Sequence, residues 1–143
     1  MSITLPDEAD QWLAAYHERL AANDDYTEAA SGWGVDFDGD FVLHVRPDDV
    51  YDGDPITFFL ELEDGAVHGS RVVDSPEAVD HGFSISGPYS EWKRLIQGEV
   101  GIVDGVMSGD FDAGGSKLTA LQFQEALVEM GETATNIDTD FEY

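Results

Sequence analysis

The stretch that most constrains the fold of this chain runs over residues 88–123, PYSEWKRLIQGEVGIVDGVMSGDFDAGGSKLTALQF. Its first part places Tyr89, Trp92 and Ile96 on one face of a helix with a period of 3.6 residues. A glycine follows two residues later, and glycine is a common helix stop. The pattern therefore predicts a short amphipathic helix over residues 89–96.

The remainder of this stretch predicts three more elements in close succession. A second apolar segment, residues 102–107, is followed by Gly109 and has the length of a short helix. A brief strand is predicted over residues 110–113, and after two glycines a C-terminal helix over residues 116–130. We interpret these elements as the lid and one wall of an apolar cavity.

The chain upstream of this stretch predicts two helices and then a series of strands. Residues 6–22 carry one apolar stripe at helical spacing, and residues 23–30 form a shorter helix. Alternating apolar residues then predict strands, which tight turns or short loops connect. Strands with one polar face favour an antiparallel sheet covered by helices on one side. The predicted strands are residues 33–37, 40–46, 56–63, 66–73 and 83–86.

Charge is the dominant property of the composition. The 143 residues include 31 acids and 6 bases, which gives a formal net charge of −25. The acids are spread along the chain and alternate with apolar residues, as expected for a folded acidic surface. Such a surface predicts adaptation to molar salt; a mimic of nucleic acid is the alternative. Nucleic-acid binding is not expected, because the chain has no basic face.

The sequence predicts one cytoplasmic domain over residues 1–143, with a core at about 6–131 and an acidic, frayed tail over 132–143. Phe141 and Tyr143 are the tail residues that could pack back onto the domain. No apolar run is long enough to span a bilayer, and no signal peptide is recognisable.

No motif in the chain indicates catalysis, a cofactor or a metal. The chain has no cysteine, and its four histidines show no metal-ligand spacing. The acids are so numerous that any pair of them carries little information about acid–base chemistry. We therefore expect no enzymatic activity and no bound metal.

The predicted C-terminal helix is apolar on two sides. One stripe consists of Ala120, Phe123, Leu127 and Met130, and a second of Leu118, Leu121 and Val128. A helix with two apolar faces must bury both. The second stripe could face a cavity that holds an apolar ligand, or it could contact a second subunit.

The order of signals over residues 88–123 resembles that of the sterol carrier protein type-2 domain family. That family has an aromatic-Ser/Thr-x-x-Trp helix, a glycine, a short apolar helix ending in glycine, a strand and a final helix. Here the matching positions are Tyr89-Ser90-Glu91-Trp92, Gly98, residues 102–107, Gly109, residues 111–115 and Leu118 onward. The resemblance extends over roughly residues 10 to 131.

The resemblance implies an α/β (α+β) domain with a five-stranded, mainly antiparallel sheet covered on one face by helices. It also implies an apolar cavity for a fatty acid, acyl-CoA, sterol or related lipid, and no catalytic residue. The salt-adapted composition adds an isoprenoid-like lipid as an alternative to a sterol. A homodimeric interaction module and an accessory domain of an enzyme acting on a hydrophobic substrate are the alternatives. The cavity lining expected by position is Trp92, Leu95, Ile96, Ile102, Val103, Val106, Met107, Phe111, Leu121, Phe123, Leu127 and Met130.

Overall fold

A computed structural model of the protein describes residues 2–143, which form seven strands and six α-helices. The strands are β1 (Ile3–Leu5), β2 (Phe41–Arg46), β3 (Ile56–Glu63), β4 (Ala66–Val73), β5 (Phe83–Pro88), β6 (Asp112–Gly114) and β7 (Thr139–Phe141). The helices are α1 (Ala9–Ala21), α2 (Asp24–Ala29), α3 (Tyr89–Ile96), α4 (Ile102–Ser108), α5 (Lys117–Gln122) and α6 (Gln124–Thr135).

Five of the strands form one mainly antiparallel sheet in the order β4-β3-β2-β5-β6. Within this sheet only the β2–β5 pair is parallel, and the strand order requires the chain to cross over β3 and β2 between β4 and β5. Residues 74–82 form this crossover and include a short 3-10 turn, Pro76–Ala78. The predicted five-stranded sheet with helices is thus confirmed.

The helices cover one face of the sheet. The alternating residues Phe41 and Leu43 of β2 and Phe58 and Leu60 of β3 are buried on this face. The ring of Trp12 from α1 packs on Phe58 with the ring centroids 5.6 Å apart. Burial of these side chains supplies the main driving force for folding.

The second face of the sheet is not fully solvated, contrary to the prediction that each strand has one polar face. Val42 and Thr57 on this face are fully buried, and Phe59 is nearly so. Burial and the positive charge of Arg46 lower the pKa of His44, which lies here, while Glu77 of the crossover opposes that shift. The centre of this face is therefore shielded from solvent.

The predicted strand over residues 33–37 does not exist. Both neighbours of β2 are other strands, β3 and β5, so no edge is left for a hairpin partner. The segment forms turns instead, and the buried ring of Trp33 donates from Nε1 to the carbonyl of Gly39 at 2.9 Å. Its aromatic side chains join the core rather than a strand ladder.

The predicted C-terminal helix is two helices. α5 ends and α6 begins at Phe123, whose φ and ψ of −113° and 30° are not helical. The Phe123 ring contacts Trp33 at 5.2 Å and Phe37 at 6.2 Å between centroids. Packing of this aromatic residue into the core accompanies the break.

The expectation of a frayed tail is also wrong. α6 continues to Thr135, and β7 pairs in parallel with β1. Trp12 on α1 donates from Nε1 to the hydroxyl of Thr139 on β7 at 3.0 Å. This hydrogen bond joins the two-stranded sheet of β1 and β7 to α1. Phe141 and Tyr143 do pack back, as the sequence suggested, with ring centroids 6.2 and 5.9 Å from that of Tyr89.

Candidate functional site

An open apolar groove of about 450 Å³ lies between α4, α5, the start of α6 and the strands β5 and β6. It adjoins residues 88–123, the stretch that was predicted to form the lid and one wall of an apolar cavity. Small-molecule sites in proteins commonly measure about 300–1,000 Å³, so its size suits a ligand. The lining consists of Phe41, Phe83, Ser84, Ile85, Ile102, Val103, Val106, Met107, Ala113, Gly114, Lys117, Ala120, Leu121, Gln124 and Leu127.

One wall of the groove is the face of α4 that carries Ile102, Val103, Val106 and Met107. These positions recur at i, i+1, i+4 and i+5, which places them on one side of a helix. Ile102 is buried, whereas Met107 is 82% exposed at the outer end. Gly109, which caps this helix in a left-handed conformation (φ 88°), turns the chain back toward the sheet. The wall therefore runs from the core out to solvent.

The opposite wall is formed by α5 and the first turns of α6. α5 has no buried residue, and Leu118 and Leu121 are 69% and 66% exposed. Exposed leucines of this kind are apolar surface that a ligand or a partner could cover. Ser116 caps α5 by accepting a hydrogen bond from the N–H of Thr119 at 3.3 Å.

The floor of the groove is the end of the sheet. Phe41, Phe83 and Ile85 face it from β2 and β5. Phe41 and Phe83 stack at 6.1 Å with an interplanar angle of 19°, and both are buried. The floor is therefore a closely packed aromatic surface.

The twelve residues predicted to line a cavity divide into two groups. Six line the groove: Ile102, Val103, Val106, Met107, Leu121 and Leu127. The other six pack in the hydrophobic core or against it: Trp92, Leu95, Ile96, Phe111, Phe123 and Met130. Contact between the first group and a ligand stays a prediction.

The core beneath the groove is closely packed. Trp92 and Ile96 border two apolar hollows of only about 30 and 20 Å³, each with space for about one or two waters. Phe111 is 1% exposed and packs edge-on against Trp92 at 4.9 Å. The free space around Trp92 and Ile96 is therefore far smaller than the open groove.

The sequence interpretation missed the floor and the polar rim of the groove. Phe83 and Ile85 alternate on one strand, which is the signal that could have assigned them to the covered face. Lys117 and Gln124 carry no such signal, because only the break at Phe123 and the turn of α5 bring them to the rim. Assigning Phe41 to the floor requires knowledge that β2 pairs with β5, which the sequence does not show.

The lining of the groove contains few polar side chains, namely Ser84, Lys117 and Gln124. No three His, Asp or Glu side chains within residues 2–143 are grouped so that they could hold a metal ion. In the same part of the chain no buried side-chain polar atom lacks a hydrogen-bond partner. What the groove offers chemically is an apolar surface with polar groups at its edge.

The fold is that of sterol carrier proteins. The crystal structure of sterol carrier protein 2 matches with a TM-score of 0.78 and 24% identity, over 90% of this chain and 96% of that one. A conserved hypothetical protein from Thermus thermophilus, described as possibly a sterol carrier protein, matches with a TM-score of 0.76 and 24% identity. The match covers 91% of this chain and 88% of that one. The apo form of sterol carrier protein 2 from Yarrowia lipolytica matches with a TM-score of 0.50 and 14% identity. The match covers 86% of this chain and 88% of that one.

Comparisons of the sequence alone add no further relatives. No protein-family profile matches the chain, and no curated protein sequence matches it. Over residues 2–143, none of the helices combines the length and the apolar character needed to cross a bilayer.

Proposed function

We propose that this protein is a member of the sterol carrier protein type-2 family that binds a lipid non-catalytically in the groove between α4, α5, α6 and the sheet. The observation that carries the proposal is the convergence of Val106, Met107 and Leu121 on one open apolar groove above a closely packed aromatic floor. The sterol carrier fold is the independent support.

The groove can supply enough free energy for a useful affinity. Burial of apolar surface contributes roughly 25 cal/mol per Å², so a chain that loses about 300 Å² gains about 7 kcal/mol. Part of this is offset by the lost freedom of the ligand. Exposed Met107 can adapt to the shape of the ligand, because methionine has three rotatable bonds.

Native mass spectrometry and displacement of a fluorescent fatty acid test the proposal. The protein purified in high salt should carry a lipid, or should bind the probe at a ratio of one to one. Leu121→Asp should weaken probe binding at least ten-fold, because it places a charge against the buried chain. The matched control is Val35→Asp, since Val35 is 56% exposed and lies outside the groove.

A homodimer is the alternative occupant of the same surface. Met107, Leu118, Leu121 and Val128 are all exposed and lie on α4, α5 and α6. Sedimentation velocity in molar salt separates the two proposals. A dimer that Leu118→Asp dissociates, together with no probe binding, would replace lipid binding by self-association.

We also propose that the protein works at high salt inside the cell. Its support is the excess of 31 acids over 6 bases on a folded domain. Among residues 2–143, the ion pairs of acids with Lys or Arg are Arg46–Asp112 and Arg94–Glu91, so very few of the acids have a paired base. Screening by salt is then the means of reducing their mutual repulsion.

A further inference from the structure

The two methionines within residues 2–143 lie in opposite environments. Met107 is 82% exposed and lies on the α4 wall, at the outer end of the groove. Met130 on α6 is only 4% exposed and packs in the hydrophobic core. The chain has no cysteine, so thioethers are its only sulfur groups. Met107 is therefore, in this part of the chain, the sulfur that solvent reaches.

Exposure decides which methionine reacts with a peroxide, because the oxidant must reach the sulfur. The thioether sulfur attacks one oxygen of hydrogen peroxide, so that a sulfur–oxygen bond forms while the oxygen–oxygen bond breaks. The sulfur is oxidised by two electrons, and the leaving hydroxide takes up the proton of the transferred oxygen to give one water. The product is methionine sulfoxide, which methionine sulfoxide reductases convert back to methionine.

A sulfoxide on Met107 would change the chemistry of the groove wall. The neighbouring wall positions, Val103 and Val106, and Leu121 of the opposite wall are all apolar. A reduced methionine matches them, since its side chain is flexible and apolar. A sulfoxide oxygen instead accepts hydrogen bonds from water, and an apolar chain that covers it removes those bonds without replacing them. Oxidation therefore makes binding of an apolar ligand less favourable.

We infer that Met107 is a modification site, at which oxidation by a peroxide to the sulfoxide reversibly weakens binding of an apolar ligand in the groove. This inference rests on the proposed lipid binding and adds a means of regulating it. Met130 stays reduced under the same conditions, because the core covers it. The aromatic floor formed by Phe41 and Phe83 is not altered by the reaction, so affinity falls rather than disappears.

The test treats the full chain with hydrogen peroxide in high salt, removes the peroxide with catalase, and measures the Kd of the fluorescent probe dansyl-undecanoic acid. Peptide mapping by mass spectrometry gives the oxidised fraction of each methionine. The matched control is Met107→Leu, which keeps an apolar side chain of similar volume but has no sulfur at this position. Each protein is compared with its own untreated sample, so that the effect of the substitution itself cancels.

We expect oxidation at Met107 but not at Met130, and a rise of about three- to ten-fold in the Kd of the wild type. Methionine sulfoxide reductases A and B should restore the Kd, and peroxide should not change the Kd of Met107→Leu.

Three results would overturn this inference and leave lipid binding standing. They are an unchanged Kd after oxidation at Met107, an equal rise of the Kd in Met107→Leu, and a raised Kd that the reductases do not restore. Failure of the untreated wild type to bind the probe would overturn both the inference and the proposed lipid binding.

Discussion

The hydroxyl of Tyr16 on α1 donates a hydrogen bond of 2.9 Å to the backbone carbonyl of Met130 on α6. Both residues are buried, at 2% and 4% exposure, so the bond is made away from water. It ties the N-terminal helix to the helix whose first turns form a wall of the groove. Burial raises the pKa of the Tyr16 phenol, which therefore stays protonated and remains a donor.

Replacing Tyr16 by Phe should lower the free energy of unfolding by about 1 kcal/mol, because a buried hydrogen bond is lost without loss of the ring. Urea denaturation measures the change. Tyr143→Phe is the control, since Tyr143 is 42% exposed and its loss of a hydroxyl should cost little. Equal effects of the two substitutions would mean that the Tyr16–Met130 bond does not stabilise the fold.

The carboxylate of Asp48 holds the start of α3. One oxygen accepts from the N–H and the hydroxyl of Ser90 at 2.9 and 2.6 Å. The other accepts from the N–H groups of Val50 and Tyr51 at 2.9 and 2.8 Å. Burial alone would raise the pKa of Asp48, but these four hydrogen bonds outweigh it and lower the pKa to about 2.

Asp48→Ala should therefore cost about 1–2 kcal/mol at pH 7, as for loss of a helix cap. A lowered pKa gives stability that is present above the unfolded value of about 3.9 and is lost as the pH falls through about 2. The difference between wild type and Asp48→Ala should thus shrink as the pH is lowered across this window. Exposed Asp52, in the same loop, serves as the control through Asp52→Ala. A difference that persists unchanged at the acid end of the window would contradict the role of the charge.

Phe111 fits into space that a glycine leaves. A Cβ on Gly87 would lie 2.4 Å from the Phe111 ring, which is already packed on Trp92. Gly87→Ala should cost about 1–3 kcal/mol, the usual range for overpacking a core. Gly101→Ala is the control, because a Cβ there has ordinary space, with its nearest atom 3.7 Å away. Equal thermal stability of the two variants would show that the Phe111 site can relax.

Salt should stabilise this protein more than an uncharged solute does. The Debye length falls from about 10 Å at 0.1 M to about 3 Å at 1 M, which reduces repulsion within a surface of net charge −25. We expect Tm to rise steadily with potassium chloride up to about 1 M and to exceed the Tm in sucrose of equal osmolality. Sucrose strengthens burial without screening charge. A Tm that is flat or falls with salt would contradict salt adaptation.

The elements with a strong local signal were predictable from the sequence. α3 and α4 match their predicted ranges closely, because apolar spacing and the following glycines are properties of the segments themselves. The turn at Asp64–Gly65 was predictable for the same reason, because the pair Asp-Gly itself favours a tight turn between strands. Both residues adopt the positive φ that such a turn requires.

Features that depend on distant contacts were not predictable in this way. β1 and β7 are three residues long each and lie at opposite ends of the chain, so neither carries a period of its own. The break at Phe123 coincides with its packing on Trp33, which is far away in the sequence. The same limit explains the site, because the α4 wall follows from periodicity while the floor depends on the parallel pairing of β2 with β5.

The most direct test of lipid binding in the groove is a methyl NMR titration of the full chain with 1-hexadecanol in high salt. We predict saturable shifts for the methyl groups of Val103, Val106 and Leu121, and none for Val35 or Val50, which lie outside the groove. Shifts that appear away from the groove, or the absence of saturable shifts in the groove methyl groups, would contradict the central claim.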